Sequence, residues 1–289
     1  MLRKNKTESI GYWKAFWLRF KKNKMAVIGG VFVLILIALA ILAPYIAPYP
    51  YDEPHYIRAF EGPSKDFIFG TDALGRDLFS RILYSLRNAC IIGFGSQFVV
   101  LIIGGILGAV AGFKGGWIDK FIMSIVDIMF AFPTFLFNVI LVTALGRGLF
   151  TIFLAIGLTG WAGMARLVRG QVLYLKNSEF VEAAKAAGAS TFYIIRKHIL
   201  PNMIGPILVN LAFGVPGAMM TESGLAVIGM GVRPPMPSWG NLIGEGIGMM
   251  MAFPHLLIFP AVTFAFTLIS FTFLADGLRD AFNPRSEIS

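Results

Sequence analysis

Residues Glu182 to Pro201 read EAAKAAGASTFYIIRKHILP, a polar and charged stretch set between two long apolar runs. Ala183, Ala184, Ala186 and Ala187 are strong helix formers, and their small side chains let another surface approach the backbone. Ser178 stands where an N-cap belongs, with Glu179 and Glu182 in a first turn where the helix dipole favours acids. Gly188 can take a left-handed conformation and turn the chain at low cost. Ser190 then starts a second short helix in which Phe192, Ile195 and Ile199 share a face, and Pro201 ends it and opens the next apolar run. A loop between apolar runs is ordinarily a solvated tether. Two short helices on a glycine hinge make a docking surface instead, and one anchored at both ends can transmit a push.

The flanks of this hairpin are built for lipid. Of 289 residues, 56% are hydrophobic and only 14% charged, with a mean hydropathy of +0.72, which excludes an ordinary soluble globule. Apolar runs at 25–46, 89–111, 121–145, 149–165, 203–225 and 249–275 are each of a length to cross a bilayer as a helix, which takes roughly 20 residues. They lack the two-residue alternation of a barrel strand, so the backbone must satisfy itself as helix. The reading is an all-α integral membrane protein with six transmembrane helices.

Its expected units are a basic amphipathic helix (1–24), a first span (25–46), an external loop (47–88) and a core of five spans (89–289) that includes the hairpin loop 166–201. In the first unit Trp13, Phe16, Trp17 and Phe20 recur at helical spacing among Lys14, Arg19, Lys21 and Lys22, the pattern of a helix lying along a membrane surface. A cleavable signal is the rival reading, but the run that follows is too long and no polar cleavage region succeeds Ala38-Leu39-Ala40.

The net charge of +9 is no mark of a nucleic-acid partner, because the basic residues form no single face. Eighteen of the 25 Lys and Arg fall in 1–24, 113–120, 166–201 and 276–289, and seven in the alternate segments. The positive-inside rule therefore puts both termini and the hairpin in the cytoplasm. One cysteine, Cys90, forbids an internal disulfide, and the three histidines have no ligand spacing, so neither a metal site nor a catalytic set is expected. No GxxxxGK[ST] loop is present, so ATP hydrolysis must belong to another chain. An ion-coupled secondary transporter would need several intramembrane acids, and a membrane enzyme a nucleophile–base set; the spans offer only Asp127.

Asp127, seven residues past Lys120, is expected to face the bundle in a structural ion pair or helix-end contact, with a role in passage through the pore as the alternative. Glu222, 21 residues past Pro201, belongs near the outer rim, bound to Arg233 or a loop backbone, or open to a peptide amino group. Asp72, Arg76, Asp77 and Arg81, with Thr71, suit an internally bonded external loop, with contact to a delivery protein as the alternative. Trp239 is expected to anchor its loop at the membrane interface. Gly104, Gly108 and Gly112 are GxxxG pairs for close helix packing.

Several motifs in fixed order resemble one family. EAA at 182–184, Gly188 and Leu200-Pro201 look like the coupling loop of ABC importer permeases. FGTDALGRDLFSRILYSLR (69–87), ESGLAVIGMGVRPPMPSWGNLIGEG (222–246), Phe253-Pro254 through Phe259-Pro260, and ADGLRDAFNP (275–284) are similar to segments of dipeptide, oligopeptide and nickel permeases, C-type subunit. The chain departs from the pattern at His198, Gly224, Ala226-Val227 and Ala275. The resemblance covers nearly the whole chain and implies a type I ABC importer permease (MetI-like) fold preceded by an N-terminal span. It implies transport of di- or oligopeptides by alternating access, with nickel, glutathione or oligosaccharides as other cargoes of the same machinery. It also implies a second, homologous permease subunit in a heterodimer, two cytoplasmic ATP-binding subunits that carry ATP and Mg, and an extracytoplasmic solute-binding protein, in a prokaryotic plasma membrane. Glu182, Ala183, Ala184, Gly188, Leu200 and Pro201 are then the residues of ATPase coupling.

Overall fold

The apolar runs are helices, most of them longer than the apolar stretch itself. The computed structural model describes residues 12–283, so Arg3, Lys4 and Lys6 of the expected basic helix lie outside the described residues. α1 (Tyr12–Lys22) is joined through Asn23 to α2 (Lys24–Ile46), and Asn23 Oδ1 caps α2 by accepting from Ala26 N at 3.1 Å. α3 (Leu78–Lys114) begins well ahead of the apolar run at 89. Asp77 caps it, with Oδ2 accepting from Ser80 N at 2.8 Å and Ser80 Oγ at 2.6 Å.

The expected third span, 121–145, is not one helix. It is α4 (Gly116–Ala131) and α5 (Thr134–Leu145), bent by 92° at Phe132-Pro133. Pro133 has no N–H to donate and forces Phe132 into extended geometry (φ −93, ψ 134), which stops the helix there. α6 (Leu149–Lys176) follows. α7 (Glu179–Ala186) and α8 (Thr191–Ile194) form the hairpin, and α9 (Leu200–Val227), α10 (Trp239–Met249) and α11 (His255–Phe282) complete the described chain. α10 lies in a segment expected as loop; Ser238 Oγ caps it by accepting from Asn241 N at 3.4 Å.

Among the described residues five helices are each long and apolar enough to cross a membrane, and the bent α4–α5 pair is a sixth crossing if it forms one span. The packing shows that this bent pair does cross. A Cβ on Gly104 would lie 2.5 Å from Trp161 O, one on Gly112 2.7 Å from Val172 Cβ, and one on Gly157 2.6 Å from Val99 Cβ. The contacts advance together along both chains, so α3 and α6 run parallel. Two parallel spans require the chain between them to return across the layer. These GxxxG glycines thus form the α3–α6 crossing, where backbones meet without side chains between them.

α2 and α11 run antiparallel: Gly277 meets Ala26, Gly29 meets Phe273, and Phe32 stacks edge-on with Phe266 at 4.9 Å. At the lower end of α11, Phe16 of α1 is buried against Phe282, ring centroids 4.4 Å apart, while Trp13 and Trp17 stay exposed. The start of α2, the end of α11 and the α6–α9 hairpin therefore lie on one side of the layer. Trp239 corrects its expectation: it is 1% exposed, packed 5.0 Å from Phe264 in the core rather than at an interface, because α10 carries it inward.

Candidate functional site

The hairpin is seated, not tethered. Val181, Ile194 and Ile199 are buried in one cluster with Val172, Leu175 and Met203, so its inner face belongs to the core of α6 and α9. Ile194 replaces Phe192 on the buried face, and Phe192 is exposed. The reason is a π-turn over Ile195–Ile199, in which Leu200 N donates to Ile195 O. Bonding at i to i+5 sets residues five apart on one side, so Ile194 falls with Ile199. The turn also corrects the expected break at Pro201. The helix runs on from α8 through the π-turn into α9, because the wider turn accommodates a residue with no N–H.

Gly188 has φ +80, and Gly188 N donates to Lys185 O at 2.9 Å, so the α7–α8 link is a tight left-handed turn. Ser190 Oγ accepts from Tyr193 N at 3.3 Å and caps α8, whereas Ser178 Oγ donates back to Leu175 O at 2.7 Å and does not cap α7. On the outer face Glu182, Ala183, Lys185, Ala186 and Ala187 are exposed, with Ala184 partly buried beneath them. Leu200 and Pro201 are exposed where the hairpin rejoins α9.

Bracing at the hairpin's root escaped the sequence reading. Arg169 Nε and Nη2 grip both oxygens of Asp119 at 2.5 and 2.6 Å, and Lys176 Nζ donates to Gly112 O at 2.9 Å. These bonds tie the end of α6 to α3 and α4. A basic residue at the close of one span and an acid at the opening of another were the available signal.

On the opposite side, Thr71, Asp72, Arg76, Asp77 and Arg81 are all buried. Asp72 Oδ2 takes Arg76 Nε at 2.7 Å and also the Arg81 guanidinium, whose Nη1 lies 3.4 Å from Glu245 on α10. One carboxylate thus organises a loop around two arginines. Nearby, the side chain of Arg58 binds Glu61 and Asp66, and Arg58 as hydrogen-bond donor holds the Glu61 carboxyl below its usual range.

Glu222 is 1% exposed, and neither its Oε1 nor the Ser223 hydroxyl has a hydrogen-bond partner among the described residues. Arg233 is exposed and makes no ion pair with Glu222 among the described residues. Asp127 pairs with Arg166 at 2.7 Å, and Arg166 also covers the Phe130 ring at 4.2 Å. The Asp127 side chain is nonetheless 69% exposed, so the pair sits on the outside of this chain and not in its bundle. The bend at Pro133 leaves α4 against few neighbours, which is why its acid faces outward.

Six crossings, a broken third span and a two-helix hairpin on one face define a membrane-embedded transporter subunit. The fold is MetI-like. A chain of the inward-facing MetNI methionine ABC transporter superposes with a TM-score of 0.57 over 70% of this chain and 96% of that one, at 18% identity. A chain from the crystal structure of an amino acid ABC transporter with histidines gives 0.54 over 70% and 94%, at 14% identity.

The chain belongs to the family of binding-protein-dependent transport system inner membrane components, whose model matches residues 104–288. Residues 11–63 match the N-terminal TM domain of oligopeptide transport permease C. The oligopeptide transport system permease protein OppC of Bacillus subtilis (strain 168) is 42% identical over 96% of this chain and 91% of its own length. The dipeptide transport system permease protein DppC of the same organism is 41% identical over 97% and 88%. The glutathione transport system permease protein GsiD of Pectobacterium atrosepticum is 40% identical over 94% and 91%.

Proposed function

We propose that this chain forms half of the translocation pathway of an ATP-driven importer of di- or oligopeptides, in the plasma membrane of a prokaryote. Its partners are a second, homologous permease chain, two cytoplasmic ATP-binding subunits that carry ATP and Mg, and an extracytoplasmic binding protein that delivers cargo. The observation that carries this reading is the seated hairpin, embedded by Val181, Ile194 and Ile199 inside and exposing Glu182, Ala183 and Lys185 of α7 beside Phe192 and Tyr193 of α8 outside. Closure of the ATPases around Glu182, Ala183 and Ala184 pushes on α7. Because α7 shares a core with α6 and α9, the push turns those spans, and the bundle changes the side to which its pathway opens. Relatives at about 40% identity named for oligopeptide and dipeptide transport support the cargo, and the relative named for glutathione keeps a modified tripeptide in the same class.

Gly188→Val tests the coupling. A Cβ there meets nothing within 4 Å, so the change acts only through the φ of +80, where a β-branched residue is strained by roughly 1–2 kcal/mol. Uptake and cargo-stimulated ATP hydrolysis are expected to fall at least about tenfold while membrane insertion and assembly of the bundle persist. Undiminished uptake in this variant would count against the hairpin as the coupling element.

A further inference from the structure

Among α3, α5, α6 and α9 lies an open cavity of about 420 Å³, and its polar lining carries no charge: Gln97, Thr134, Asn138, Thr159, Asn210 and Thr221. Gln97 lies eight residues into the run 89–111 and Asn210 seven into 203–225, so the cavity is within the apolar depth of the bilayer. Asn138 is 1% exposed. Its Oδ1 lies 3.0 Å from Thr159 Oγ1, but its amide nitrogen has no partner among the described residues. That nitrogen is closed off from solvent, and an unmade buried donor is unfavourable, so turning the Asn138 amide toward a ligand carbonyl in the cavity is favoured. Across the cavity, the Gln97 amide lies over Gly214, where any Cβ would collide with it, which presses this amide close to the backbone of α9. Three helices thus each present one side-chain amide to a common space.

An amide offers one donor end and one acceptor end, the same pair that every peptide unit carries. A charged lining in a dry cavity would hold cargo of one sign and repel the other, since unscreened charges act strongly there. An uncharged one binds the main chain and is indifferent to side-chain charge. We propose that Gln97, Asn138 and Asn210 form a mid-membrane station that hydrogen-bonds the backbone of the peptide in transit. This rests on the reading of the chain as a peptide importer and adds to it the group that is recognised and the residues that recognise it.

The test uses the complete transporter in vesicles, with its binding protein at saturation and trialanine, Ala-Lys-Ala and Ala-Glu-Ala as cargo. Asn138→Ala is expected to lower uptake of all three about tenfold. Gln97→Glu is expected to shift the uptake ratio of the lysine to the glutamate peptide at least about tenfold toward lysine, which a merely structural lesion would not do. An unchanged ratio in Gln97→Glu overturns the station, as does full uptake in Asn138→Ala. Wild-type transporter that imports none of the three with ATP sinks the peptide-import reading instead. Where a variant gives no uptake, the unmutated transporter decides, with trialanine carrying a photoreactive diazirine on its central residue: labelling within 97–100, 134–163 or 210–221 sustains the station, and labelling only elsewhere overturns it.

Discussion

At single positions this protein is decided by what is missing from a side chain. Gly108 faces Ala165 so closely that an added Cβ would strike its carbonyl oxygen, whereas one on Gly170, further along α6, would meet nothing within 4 Å. Gly108→Val must therefore separate α3 from α6, the crossing on which both the hairpin's root and the central cavity depend. Overpacking of a tight core costs typically 1–3 kcal/mol, and a lost close crossing belongs at about the upper end. Gly170→Ala gains helix propensity worth up to about 1 kcal/mol and strains nothing. Thermal unfolding in detergent is expected to place Gly108→Val well below the wild-type midpoint and Gly170→Ala at or above it. Equal midpoints for the two variants would mean that the crossing does not hold the bundle together.

At the level of elements, proline chemistry separates what the sequence could show from what it could not. Apolar length revealed the runs, and the glycine spacing marked a close-packing face on α3 without naming its partner, because both signals are local. The two breaks were not local. Pro133 breaks its span with a right-angle bend, while Pro201, read as a terminator, is absorbed by a π-turn, and only the surrounding packing distinguishes the two outcomes. The same turn moved the hairpin's buried face from Phe192 to Ile194. The cavity amides were passed over for a related reason: Gln97, Asn138 and Asn210 are scattered in sequence and converge only once four helices are packed.

The π-turn has a measurable consequence. In Pro201→Ala the helix can close into regular α geometry, rotating Ile194 and Ile199 out of register with Val181. Amide hydrogen exchange across 191–199 is expected to quicken at least about tenfold while α9 beyond Met203 keeps its protection. Unchanged exchange across the hairpin would show that its seat does not depend on the turn.

For the whole molecule, the parallel course of α3 and α6 makes an argument independent of charge counting. Since the two run the same way, the bent α4–α5 pair carries the chain back across the layer, and the loop containing Gly62 and the hairpin containing Lys185 must lie on opposite sides. From the excess of Lys and Arg on the hairpin's side we propose that this side faces the cytoplasm. A re-entrant α4–α5, by contrast, would turn α6 over and put Lys185 on the same side as Gly62. Cysteines placed singly at 62 and 185, in a background with the buried Cys90 replaced by alanine, separate these arrangements. In intact cells stripped of their wall, a membrane-impermeant maleimide is expected to label position 62 and to reach 185 only after permeabilisation. Labelling of both from outside would overturn the sixth crossing, and with it any route by which an ATPase in the cytoplasm could reach the hairpin.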